Sequence, residues 1–301
     1  NKMKKISILL YAVIFAMASS TAIAKDLKIY ISVDLEGIAG VVTGEQLGTD
    51  GFEYQRFREF ATAEALSAVN AAFEAGATEV LVSDSHGNGQ NLLIEKFPEN
   101  VKVIRSWPRK LGMMQGLEEG GFAGAIYIGY HSSTNYMSGV RAHTKSSASL
   151  TGLKLNGKVA GESYFNAAIA GEFNVPIIMI SGDEAAVTEA QDAIGDIEGA
   201  IVKWAYSFHS AKSLSPAASR KEIAAKVKAA IGRIDEFKPM KLKGDITMDM
   251  SFKNYRVSEM LAYLPQFERI DSHTIRYVGK DMIDVSTVAT FITGYSLGLS
   301  P

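Results

Sequence analysis

Short apolar runs alternate with helix-length stretches through the first two-thirds of the chain. The runs near 27–34, 78–87, 101–106, 124–132 and 175–184 are rich in Val, Ile and Tyr and end in polar or glycine residues, the pattern of strands. Between the first two, "FATAEALSAVNAAFEAGA" carries apolar positions at helical spacing and stops at Gly76, predicting a helix over about 54–75. "LKLNGKVAG" reads as a hairpin turning at Asn156-Gly157, and "ESYFNAAIAG" as the helix after it. Strands separated by helices predict an α/β fold, with a mostly parallel sheet flanked by helices. Beyond about residue 200 the pattern changes. A helix entered at Ser215-Pro216, a strand in "DITMDMSF", a helix near 254–263, a strand in "HTIRYVG" and a helix near 281–298 predict a smaller α+β C-terminal domain.

The first 24 residues follow another logic. Lys2, Lys4 and Lys5 precede an apolar stretch from Ile6 to Met17, and small residues end it at Ala22-Ile23-Ala24. This is a signal-peptide pattern with cleavage expected before Lys25, which makes the protein exported, periplasmic or secreted. The apolar stretch is shorter than the ~20 residues of a membrane span, so no stable span is expected after cleavage. The expected organisation is then an α/β domain over 25–200 and a smaller α+β domain over 201–301.

Composition narrows the chemistry. Removing residues 1–24 takes three lysines and no acid, moving the formal charge from −2 to −5. A mildly acidic chain without a long basic run gives no reason to expect nucleic acid as a partner. There is no cysteine, so disulfides and thiolate metal sites are excluded, and any metal must be held by His, Asp, Glu or backbone oxygen.

Polar residues gather at the C-terminal ends of the predicted strands, where open α/β sheets bind ligands. Asp34 and Glu36 follow the first strand, Asp84 and His86 the second, His131 the fourth and Asp183 the fifth. Alternation along a strand would put Asp34 and Glu36 side by side, and two close carboxylates need a cation or a proton between them. Glu162 falls in the first turn of its helix. Together Asp34, Glu36, His86, His131 and Glu162 form a mixed oxygen and nitrogen set suited to zinc. Five ligands exceed one open tetrahedral site. Three carboxylates balance two divalent ions and a bridging hydroxide, so the set points to two metal ions with one bridging carboxylate. Asp84 has two readings, as a residue orienting a ligand histidine or as a turn residue bonded to backbone. His209 and His273 lack the strand-end setting and read as solvated or structural.

The blocks "KIYISVDLEGIAG", "EVLVSDSHG", "GAIYIGYHS", "KVAGESYFNA", "VPIIMISGD" and "KSLSPAAS" occur in an order that resembles the zinc D-aminopeptidase family. "FKNYRVSEMLAYLP" and "VGKDMIDV" extend the resemblance to nearly all of residues 27–290. It implies that Asp34, Glu36, His86, His131 and Glu162 are metal ligands, with Asp34 bridging two zinc ions, and that His143 is the catalytic histidine. It also implies removal of an N-terminal D-residue such as D-Ala from short peptides, and a ring-like homo-oligomer, possibly a decamer, with an enclosed cavity. The alternatives are another dinuclear-metal hydrolase (an amidase or phosphoesterase, with Arg141 and Lys145 near His143 as anion partners) or a non-catalytic exported metal-binding protein.

Overall fold

The structure, a computed structural model, describes residues 26–295; the leader expected at 1–24 lies outside the described residues. The elements run in chain order as β1 (Lys28–Val33), α1 (Tyr54–Glu74), β2 (Glu79–Asp84), β3 (Val101–Ile104), β4 (Phe122–Tyr130), β5 (Leu150–Leu155), β6 (Lys158–Val159), α2 (Glu162–Glu172), β7 (Ile177–Asp183), α3 (Glu184–Ile194), β8 (Glu198–Ser207), β9 (Ser210–Ser213), α4 (Pro216–Gly232), β10 (Ile246–Phe252), α5 (Tyr255–Leu261), β11 (Phe267–Arg269), β12 (Thr274–Gly279) and α6 (Met282–Gly294). None of the described helices is long and apolar enough to cross a membrane.

Seven strands form one sheet in the order β3-β2-β1-β4-β7-β8-β9, parallel except at the β8–β9 hairpin. The α/β class and the mostly parallel sheet are therefore as the sequence pattern predicts. β1, β2, β4 and β7 are covered on both faces, which is why they read as unbroken apolar runs rather than alternating ones. The chain winds outward from β1 to β3, then crosses back to lay β4 against the other side of β1. That reversal opens a crevice between the C-terminal ends of β1 and β4.

The two strands stay in contact beyond Val33. Asp34 N donates to Ile128 O at 2.8 Å and Gly37 N to Gly129 O at 2.7 Å. Glycine is required here because a Cβ on Gly37 would collide with the carbonyl of Tyr130. The α4 helix starts at its Ser215 cap, whose hydroxyl accepts from Ala218 N, with Pro216 in the first turn. It packs along α1, where Ser67 Oγ donates to Arg220 O at 2.7 Å.

A second, antiparallel sheet has the order β11-β12-β10-β5-β6. Its β5–β6 hairpin turns at Asn156 and Gly157, both with positive φ (49° and 80°), as a two-residue hairpin turn demands. A hairpin alone is marginal in water, and β10 supplies the neighbour that β5 needs. Residue 200 falls inside β8, and strands from both sides of it build both sheets. The sequence pattern predicts no strands over 198–213, where β8 and β9 lie.

Candidate metal centre

The crevice between β1 and β4 gathers all six residues singled out in the sequence. Asp34 and Glu36 lie just past the end of β1, not within it, so pleat alternation is not what pairs them. They meet because the turn at Gly37 stays bonded to β4 and because one imidazole serves both. His86 Nδ1 is 3.1 Å from Asp34 Oδ1 and 2.8 Å from Glu36 Oε2. From β4, His131 Nε2 faces Asp34 Oδ2 at 3.4 Å and Glu162 Oε1 at 3.5 Å. Glu162 stands in the first turn of α2, delivered there by the β5–β6 hairpin, and its Oε1 accepts from Lys145 N at 2.7 Å. His143 Nε2 approaches the same oxygen at 3.7 Å. Asp34, Glu36, His131 and Glu162 are all buried.

Each histidine is pinned on its other nitrogen. His86 Nε2 donates to Leu47 O at 2.9 Å, His131 Nδ1 to Ser132 O at 3.0 Å, and His143 Nδ1 to Arg141 O at 3.0 Å. A carbonyl oxygen only accepts, so those nitrogens carry the protons. In the neutral rings the opposite nitrogens then present lone pairs to the carboxylates. This is the orientation that backbone carbonyls impose on metal-ligating histidines.

His131 Nε2 is buried without a hydrogen-bond partner. Two ligands each ~2.1 Å from a tetrahedral zinc lie roughly 3.4 Å apart, so its separations from Asp34 and Glu162 suit a shared cation. Two overlapping sets fall within metal-holding reach, Asp34–Glu36–His131 and His131–His143–Glu162. The residues present therefore fit zinc, with His143 near enough to act beside it.

The electrostatics tell the same story. Burial, then the neighbouring Glu36, pushes the Asp34 carboxyl up to about 8. Burial works against charge on His131, yet Glu162 and Asp34 outweigh it and lift the imidazole to about 10. His86 is raised likewise, burial being overcome by Glu36 and Asp34. A cavity with three carboxylates thus draws positive charge, as protons or as metal. His143 goes the other way: burial, then the adjacent His131, lowers it.

Other candidates separate cleanly. The Asp84 carboxylate accepts from Asn91 N, Asn91 Nδ2 and Leu92 N, so it fixes the turn after β2 and touches no ligand ring. Asp183 caps α3 through Ala186 N and accepts Val140 N, anchoring the loop that carries His143. His273 is exposed beside Ser272, and exposed His209 is 3.4 Å from Val42 O. Sequence reasoning missed Lys203, fully buried in β8 with its ammonium under the loop that follows Asp34. The signal was a lysine inside the apolar run "GAIVKWAY".

The D-aminopeptidase family M55 matches residues 27–291, nearly the whole described chain. The chain belongs to this peptidase family. It is 31% identical over 278 residues to the D-aminopeptidase of Bacillus subtilis (strain 168), a match covering 91% of this chain and 99% of that protein. The solved structure of the Zn-dependent D-aminopeptidase DppA from Bacillus subtilis, described as a self-compartmentalizing protease, superposes with a TM-score of 0.85 at 30% identity. That match also covers 91% of this chain and 99% of that one. An M55 peptidase is a hydrolase, and the family's resemblance seen in the sequence blocks thus extends to the whole fold.

Proposed function

We propose that this M55 member is a two-zinc aminopeptidase that removes an N-terminal D-residue, such as D-Ala, from short peptides. The observation that carries the reading is the set of three imidazoles. Each is held by a backbone carbonyl on one nitrogen and turns the other toward one or two of the three buried carboxylates. In this reading Asp34, Glu36, His86, His131 and Glu162 would hold two ions, and Asp34 is the carboxylate that meets both His86 and His131. The preference for a D-residue rests on family membership and on the activity named for the relatives.

Bound zinc supplies a Lewis acid for a carbonyl oxygen and brings the pKa of water toward neutrality. The chain's own residues do the rest. Hydrolysis joins the oxygen of water to the carbonyl carbon, breaks the C–N bond and gives a proton to the leaving amine. His143 Nε2 is the protein atom positioned to carry that proton, because its Nδ1–H is committed to Arg141 O. Burial and His131 keep it neutral near pH 7, so it can accept before it donates. The loop carrying it is fixed at both ends, by Val140 N on Asp183 and by Lys145 N on Glu162.

The signal-peptide pattern supports export, with the enzyme acting on peptides outside the cytoplasm. The description of DppA as self-compartmentalizing supports a homo-oligomer. Two domains meeting near residue 200 remain the proposed organisation, with the shared sheets as their joint. The deciding experiment pairs zinc analysis of purified protein with hydrolysis of matched D-Ala and L-Ala dipeptides. Two zinc ions per subunit and faster cleavage of the D-substrate are expected. Protein that binds no divalent ion, or that prefers the L-substrate, sinks the proposal.

A further inference from the structure

Lys203 presents an unusual arrangement. Its side chain is fully buried, and its partners are carbonyl oxygens, not a carboxylate. The ammonium donates to Glu36 O, to Ile38 O at 3.1 Å and to Val41 O at 2.7 Å. An ammonium has three N–H donors, so all three are used, and all on one six-residue stretch that begins at a candidate ligand. Burying a cation costs several kcal/mol, which an apolar side chain of the same volume would avoid. What the lysine supplies here, and an apolar side chain would not, is three N–H donors on one centre.

The neighbourhood shows the task. Ser213 is the cross-strand partner of Lys203 in the β8–β9 hairpin, and its hydroxyl accepts from Gly40 N at 2.8 Å. Glu64 Oε1, from α1, accepts from Ala39 N at 3.1 Å, and Gly129 O, from β4, accepts from Gly37 N. Ile38 N and Val41 N close turns within the stretch, on Leu35 O and Ile38 O. Every amide of residues 37–41 is thus bound, and three of the carbonyls of residues 36–41 converge on one nitrogen. Three carbonyls aimed at one buried point need a donor there, and the ammonium supplies it.

We infer that Lys203 is a positioning residue that folds segment 36–41 around its ammonium and thereby holds Glu36 and Asp34 at the metal centre. The inference rests on the metal reading above. It adds that the centre is aligned from beneath by an element 162 to 167 residues downstream in sequence. The ammonium acts through backbone carbonyls, so it sets the place of the Glu36 carboxylate without touching it.

Lys203→Met, similar in volume but without donors, tests this in the full mature chain. Two quantities are read. One is zinc affinity by competition with a chelator of known strength. The other is amide hydrogen exchange in metal-free protein over 36–41, with β2 as the internal control. Zinc binding roughly 10–100-fold weaker is expected, as for loss of groups that orient ligands. Exchange should speed up at 36–41 and stay unchanged in β2. In Lys203→Ala, n-propylammonium should restore zinc affinity in part, whereas tetramethylammonium, which has no N–H, should not. Wild-type affinity and exchange in folded Lys203→Met overturn the inference. Should that variant fail to fold, Lys203→Gln, one atom shorter and with two N–H donors instead of three, carries the test, and wild-type zinc affinity and exchange over 36–41 overturn the inference equally. Wild-type protein that takes up no zinc defeats the metal reading alone, because the exchange measurement still decides the role of Lys203.

Discussion

The imidazole rings of His131 and His143 are stacked, with centroids 3.9 Å apart and planes 13° from parallel. One ring comes from the end of β4 and the other from a loop that folds back when His143 N donates to Ser132 O at 3.1 Å. The pair divides the work: His131 faces two carboxylates, while His143 reaches only Glu162. His143→Ala should therefore retain its zinc and fold yet turn over a D-Ala dipeptide at least ~100-fold more slowly. Metal content and kcat measured on the same preparation check this. Loss of zinc along with activity would make His143 a ligand instead.

Glu162 belongs to only one of the two overlapping ligand sets. On the two-ion reading proposed above, Glu162→Gln should lower zinc by one ion per subunit and leave the set Asp34, Glu36 and His131 intact. Elemental analysis after gel filtration gives the count, and an undiminished two ions would refute the assignment of Glu162.

Metal removal should destabilise the fold, since the proposed ligands come together only in the folded chain. At free zinc one hundred times its Kd the stabilisation is about 2.7 kcal/mol, or a few degrees in Tm for a domain of this size. Thermal unfolding with and without a chelator measures it. Identical midpoints would mean that the carboxylate cluster binds no metal in the folded protein.

A pH dependence arises away from the metal ligands. Glu64 in α1 is buried, bonded to Ser219 Oγ at 2.7 Å and to Ala39 N, with Lys203 and Arg220 as its nearby cations. Burial outweighs all of these and raises its carboxyl from 4.5 to about 7. The unfolded chain loses this proton near pH 4.5 and the folded chain keeps it to about pH 7. The associated stability, about 3 kcal/mol, is complete below 4.5 and is lost as pH rises to 7. Urea unfolding of wild type and Glu64→Gln across pH 4.5–8 should show a difference in stability that changes over this window. A difference that stays flat would remove Glu64 as the cause.

Gly37→Ala should prevent the close approach of the turn after β1 to β4, because the added Cβ meets the Tyr130 carbonyl. A loss of about 1–3 kcal/mol is expected, together with weaker zinc binding, because Glu36 is the adjacent residue. Native-like stability and affinity would show that the turn can shift without disturbing the centre.

The candidate ligands were legible in the sequence because β1, β2 and β4 are parallel strands whose C-terminal ends meet at one crevice. A polar residue just after an apolar run is visible without knowing the fold. Glu162 was legible through the Asn156-Gly157 turn, which fixes where α2 starts. The β8–β9 hairpin was not. Lys203, midway along β8, breaks the apolar pattern, and its three acceptors lie more than 160 residues away, so no local pattern connects them. Likewise, the pairing of β5 with β10 joins residues nearly 100 positions apart, and no local pattern announces it.

That pairing bears on when the molecule becomes competent during synthesis. All six candidate ligands and proton carriers have been translated once Glu162 emerges, yet the hairpin that delivers Glu162 gains its neighbouring strand only after Phe252. Nascent chains stopped short of β10 would own every chemical group of the centre and lack the brace that brings the last carboxylate home. On this geometry, completion of the candidate metal pocket waits on β10, whose last residue, Phe252, lies 90 positions beyond Glu162.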